Sequence, residues 1–121
     1  MKLRGVMLGS ENPKALGEFY TKIFGQPGWQ HEDWYGFMIG EGNLMIGPHS
    51  EVKGKNSMPG RLMFNLDSYD VRADFETIKA TGAEIIAEPY QPSKKDTPDA
   101  WLATFADPDG NYFQLATPWK S

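Results

Sequence analysis

The sequence predicts an α+β fold in which two βαβββ modules follow one another along the chain. Three paired features carry that reading: two amphipathic helical stretches, a glycine closing each, and a Gly-Asn step ahead of each half's last strand. Two such sheets, each with a helix on one face, predict an open, cup-like curved mixed sheet with the helices outside and a concave trough within.

The elements follow in order. Leu3 to Leu8 is a short apolar segment that reads as a first strand. Asn12-Pro13 then starts a helix, because Asn can cap the free N–H groups and Pro at the first position loses no hydrogen bond. Leu16, Phe19, Tyr20, Ile23 and Phe24 form its apolar stripe, and Gly25 stops it. Trp29 to Trp34 and Phe37 to Ile39 are the next strands, and Gly42-Asn43 reads as a hairpin turn into Leu44-Met45-Ile46. The second half repeats the design. Leu62 to Leu66 is a strand, and a helix starts near Ser68 to Asp70, buries Val71, Phe75 and Ile78, and stops at Gly82. Ala83 to Ala87 and Trp101 to Phe105 are strands, and Gly110-Asn111 turns into Tyr112 to Leu115. The expected organisation is one domain over residues 1–121, with a first module at 1–49, a Pro-bounded linker at 50–60 and a second module at 61–118. The stretch from Gln91 to Asp99, rich in Pro, Lys and Asp, is a second loop.

Strand alternation separates two faces. Val6, Leu8, Leu44, Ile46, Leu62, Phe64, Leu66, Phe113 and Leu115 are expected under the helices. Their neighbours Gly5, Met7, Met45, Gly47, Arg61, Met63, Asn65, Tyr112 and Gln114 then face the trough. The first set is uniformly apolar and the second is mixed, as a core face and a binding face should be.

Composition narrows the function. At 121 residues a single domain can bury its own core. The absence of Cys excludes disulfides and thiolate chemistry. The first residues contain no apolar run of export length and nothing reaches membrane-spanning length, so a cytoplasmic protein without a membrane partner is expected. The formal charge is −4 and the basic residues are scattered, which argues against nucleic acid. Four Trp and six Met suit a surface that grips something flat or apolar, and equally suit core filling or a dimer seam. No Ser-His-Asp order or Gly-rich phosphate loop is present.

Phe19-Tyr20-Thr21-Lys22-Ile23-Phe24-Gly25 and the stretch Phe105-Ala106-Asp107-Pro108-Asp109-Gly110-Asn111-Tyr112-Phe113-Gln114-Leu115 resemble the first-helix and final-hairpin signatures of the vicinal oxygen chelate superfamily. That superfamily includes glyoxalase I, extradiol dioxygenases and bleomycin resistance proteins. The resemblance implies the glyoxalase/bleomycin resistance fold and a homodimer. In metal-dependent members it also implies His, Glu or Gln ligands on the first and last strands of each half. Counted from Phe19-Tyr20, those places fall on Gly5, on Gly47 or Met45, on Arg61 and on Gln114, of which Gln114 alone carries a suitable oxygen. His31 and His49 stand at a strand edge and at the linker, where solvated roles are expected. No metal and no other cofactor is therefore expected.

The expected function is metal-independent binding of a small organic molecule in the trough, resembling the bleomycin-type sequestering proteins and needing no catalytic residue. Met7, Met45 and Met63 would form the floor, Trp34 and Trp101 the walls together with Trp29 and Trp119, and Asn65, Tyr112 and Gln114 would orient the ligand. Arg61 could fork onto a ligand carboxylate or phosphate, or hold a strand-edge salt bridge. The alternatives are a glyoxalase- or dioxygenase-like enzyme that keeps Gln114 as one ligand, and a dimer module whose trough is a subunit seam.

Overall fold

The structure, a computed structural model, describes residues 1–118; Trp119 lies outside the described residues. The chain gathers into two compact units, Met1–Lys55 and Asn56–Ser121, each with its own four-stranded sheet.

The first unit runs β1 (Gly5–Ser10), α1 (Pro13–Phe24), β2 (Trp29–His31), β3 (Trp34–Ile39) and β4 (Gly42–Pro48). Asn12 accepts a hydrogen bond from the Ala15 N–H at 3.3 Å, which satisfies one of the free donors at the start of α1. At the other end the Gly25 N–H donates to the Thr21 carbonyl at 2.9 Å, and a φ of 86° turns the chain off the helix axis. The strand order is β1-β4-β3-β2, with β1 parallel to β4 and the other pairs antiparallel. Parallel neighbours need a crossover, which α1, β2 and β3 supply. Leu8, Phe37, Leu44 and Ile46 are buried on the face that α1 covers with Leu16 and Tyr20. Each such side chain contributes about 1.5–3 kcal/mol by leaving water.

The second unit repeats this order as β5 (Phe64–Asp67), α2 (Val71–Lys79), β6 (Glu84–Tyr90), β7 (Leu102–Ala106) and β8 (Tyr112–Ala116). Its sheet is β5-β8-β7-β6, again with a single parallel pair, β5 and β8. Asp70 caps α2 by accepting from the Ala73 N–H at 3.1 Å. A ladder of stacked rings forms the core: Phe75 on Phe105 at 5.0 Å, Phe105 on Phe113 at 5.7 Å and Phe113 on Phe64 at 5.5 Å.

Two expectations need correction. Gly42-Asn43 is not the turn in the first unit: Ile39 pairs with Gly42, so the turn residues are Gly40, with φ 61°, and Glu41. A two-residue hairpin needs a positive φ at its first central position, and Gly40 supplies it. The fifth strand also begins later than Leu62. Pro59–Arg61 forms a 3₁₀ turn in which the Arg61 N–H donates to the Met58 carbonyl at 3.0 Å, so the chain becomes extended only beyond it. Leu62 is 63% exposed as a result and is not part of the core.

The turn from β7 to β8 is built around Asp107, which is 3% exposed. Its carboxylate accepts from the Asp109 N–H, the Asn111 N–H and the Asn111 side-chain amide at 2.9, 3.0 and 3.0 Å. Among the described residues no helix is long and apolar enough to cross a membrane.

Candidate functional site

Each sheet has one face under its helix and one face left free, and the free faces hold most of the residues singled out by chemistry. In the first unit the register is explicit. Met7 pairs with Met45, Met45 with Gly36, and Gly36 with Trp29, which makes one row across all four strands. Gly36 lacks a side chain, and the Trp29 ring lies against it: a Cβ there would sit 3.6 Å from the indole. In the next row Trp34 occupies the place over Gly47, where a Cβ would overlap the ring, so only Gly admits that indole. Met38, two residues along β3 from Gly36, is 65% exposed, Met7 is 45% exposed and Trp29 is 51% exposed. Met7, Met45 and Trp34 thus share the free face of the first sheet. Trp29, offered by the sequence as a wall residue, lies on the same face, and so does Met38, for which the signal was the alternation Trp34-Gly36-Met38.

The free face of the second unit is polar. Asn65 pairs with Gln114 and Gln114 with Thr104, so two carboxamides and a hydroxyl stand in one row. Tyr112 is two residues from Gln114 on the same face of β8. Thr104, 5% exposed, is the member that sequence reasoning missed, because a lone Thr in an apolar strand gives no sign of its register.

Three expected site residues lie elsewhere. Arg61 is in the 3₁₀ turn rather than on the fifth strand. It is exposed, and its guanidinium reaches the Met58 sulfur at 3.7 Å. Across the ladder from Gln114 stands Asn65 instead. Met63 directly precedes β5 and is half-buried. Trp101 precedes β7 and turns to the helix side, where the Arg72 guanidinium of α2 lies 4.6 Å from its ring centre; the Trp101 backbone N–H donates to the Thr117 hydroxyl at 2.9 Å.

The donor chemistry of these faces does not fit a divalent metal ion. Among the described residues no group of three or more His, Cys, Asp or Glu is placed to hold one. His49 is occupied at Nδ1 by the Glu51 N–H at 3.1 Å, and His31 lies beside Trp29 with ring centres 6.4 Å apart. Gly5 could not be replaced by a ligand side chain on this backbone, since a Cβ there would run into the Asn43 carbonyl. What remains is thioether and the Asn43 carboxamide in the first unit and neutral carboxamide in the second, a poor set for zinc or iron. A groove of about 430 Å³ does open on the helix side of the first sheet, between α1 and the β2–β3 hairpin. Lys14, Glu18, Gln30 and Tyr35 line it, and none of the expected site residues does.

The chain matches the model of the glyoxalase-like domain family over residues 5–116. Among solved structures it is similar to a conserved domain protein at 15% identity and a TM-score of 0.79, covering 98% of this chain and 100% of that one. It is also similar to a glyoxalase/bleomycin resistance protein from Albidiferax ferrireducens T118, at 22% identity and a TM-score of 0.70, covering 96% of this chain and 98% of that one. A glyoxalase-related enzyme from Fulvimarina pelagi gives 20% identity and a TM-score of 0.70, covering 97% and 88%. Identities this low carry the fold alone, which is the glyoxalase/bleomycin resistance fold. No curated protein matches the chain.

Proposed function

Because the chain belongs to the glyoxalase-like domain family, a superfamily member by fold and sequence model alike, we propose that it binds a small organic molecule without a metal, on the free face of its first sheet. The observation that carries this reading is the row Trp29, Gly36, Met45, Met7, with Trp34 beside it over Gly47. Glycines under two indoles leave flat apolar ground, and methionine adapts its shape to a ligand at little cost. With Arg61 held in its 3₁₀ turn, neither free face presents a strand-borne cation, which suits a neutral or cationic ligand better than an anionic one. A homodimer completes it, because the edge strands of both sheets need cover.

A second reading, a metal-dependent lyase or ring-cleaving dioxygenase, draws on one observation: Gln114 and Asn65 bring two amide oxygens onto one rung. A thermal-shift screen of aromatic and cationic compounds, run with and without chelator, separates the two. The binding reading expects hits that raise the melting temperature equally in both series, since a ligand of the folded state must stabilise it. Hits that disappear with chelator, or stoichiometric zinc, iron, nickel or manganese in protein purified without added metal, would favour the enzyme.

A further inference from the structure

Helix α1 packs on β1, β3 and β4, while the edge strand β2 is exposed over its whole length. The groove of about 430 Å³ opens at that margin. Gln30 and Tyr35, direct partners across the β2–β3 ladder, both line it, and by strand alternation they lie on the opposite side of the sheet from Trp29 and Gly36. Gly17 leaves the room on α1 that the Tyr35 ring fills. Tyr35 is 7% exposed, and its hydroxyl has no hydrogen-bond partner among the described residues. Among those residues Asp109 Oδ2 is the one side-chain polar atom sealed from solvent without a partner, so the Tyr35 hydroxyl opens into the groove that its residue lines. An unpaired polar group on a buried side chain marks a place for a partner from outside the chain.

The charged side chains lining the groove are Lys14, Glu18 and Lys22, at four-residue spacing along one face of α1. The two lysines are about 12 Å apart along the helix axis, with Glu18 midway. All three are exposed, and the ion pair found among the described residues is Lys53 with Glu11, so these charges are not tied to one another. Their order, positive, negative, positive, disfavours a plain anion, because a carboxylate drawn to either lysine meets Glu18 unless the ligand also brings a cation. Two carboxylates and one ammonium on one ligand answer all three charges. We infer that this groove binds an acidic α-amino acid. Its ammonium lies on Glu18 and its carboxylates toward Lys14 and Lys22, with the Tyr35 hydroxyl and the Gln30 amide donating to a carboxylate oxygen. The groove lies across the sheet from the ground proposed for the organic ligand and does not depend on that reading.

L-Glutamate is titrated into the full chain, isotope-labelled in its backbone amides and methionine methyl groups, and followed by nuclear magnetic resonance. Glutarate, which lacks the ammonium, and L-glutamine, which lacks the second carboxylate, are the comparison compounds. Glutamate should shift amides of α1 and the β2–β3 hairpin, saturate at one per chain, and leave the Met7 and Met45 methyl groups in place. It should bind about tenfold tighter than either comparison compound, the worth of one charge-assisted contact. Tyr35→Phe keeps the ring against Gly17 and should weaken glutamate about tenfold at an unchanged melting temperature. Glu18→Gln, at an exposed and unpaired position, should erase the preference for glutamate over glutarate. The inference is overturned if glutamate gives no saturable shifts, if glutarate or glutamine binds as tightly, if the Met7 and Met45 methyl groups move in place of the α1 amides, or if either variant binds as the parent does.

Discussion

Gly17 lies inside α1, where glycine costs about 1 kcal/mol relative to alanine. Its reason is Tyr35: a Cβ at position 17 would lie 2.8 Å from two atoms of that ring, closer than carbon atoms pack. The ring is 7% exposed and wedged between helix and sheet, so it has little freedom to give way. Overpacking of this kind costs about 1–3 kcal/mol, which outweighs the propensity gain. Gly17→Ala is therefore expected to destabilise the protein by about 1 kcal/mol, read as a lower urea midpoint at unchanged slope. A raised midpoint would mean that Tyr35 is not fixed where it stands. The site glycines obey the same logic on the other face: Gly47 keeps its place because the Trp34 ring occupies the volume a side chain would take.

Helix caps are the clearest case in which an element's boundary follows from single residues. Asn12 and Asp70 each accept one backbone N–H at the start of their helix, from Ala15 and Ala73. Asn12→Ala and Asp70→Ala should each cost about 1 kcal/mol. The two caps belong to different compact units and share no partner, so the double variant should lose the sum to within about 0.5 kcal/mol. Chemical denaturation of the three variants tests this, and marked non-additivity would show coupling that the caps themselves do not provide. Both helices were legible in the sequence because their signals are local: a capping side chain, apolar residues at helical spacing and a glycine beyond the end. The fifth strand was legible only in part. Pro59 and Gly60 favour a 3₁₀ turn that takes up Arg61 and leaves Leu62 outside the core, and an apolar run cannot announce where it starts to pair.

At the scale of the molecule the chain divides between Lys55 and Asn56. The Gly54 N–H is tied back to Glu11 at 3.1 Å, and the Asn56 N–H to the Asp109 carbonyl at 2.8 Å, so each side of the border is anchored within its own unit. A short Gly-Ser insertion between residues 55 and 56 should lower stability by less than about 1 kcal/mol, because lengthening a loop costs little entropy. The same insertion between Asp107 and Asn111 should be far more damaging, since it would separate the buried carboxylate from the three donors it holds. Thermal melts of the two variants measure the contrast, and equal losses would mean that the 55–56 border is not a free joint. The sequence by itself determined the repeated βαβββ order, the helix ends and the residues able to alternate between a core face and a free face, because those rest on neighbours a few positions apart. Only the tertiary structure decided that Met7 meets Met45, that Trp29 joins their row, that Asn65 rather than Arg61 stands opposite Gln114, and that Trp101 belongs to Arg72. Those outcomes depend on register between strands distant in the chain, where a shift of one residue exchanges the two faces.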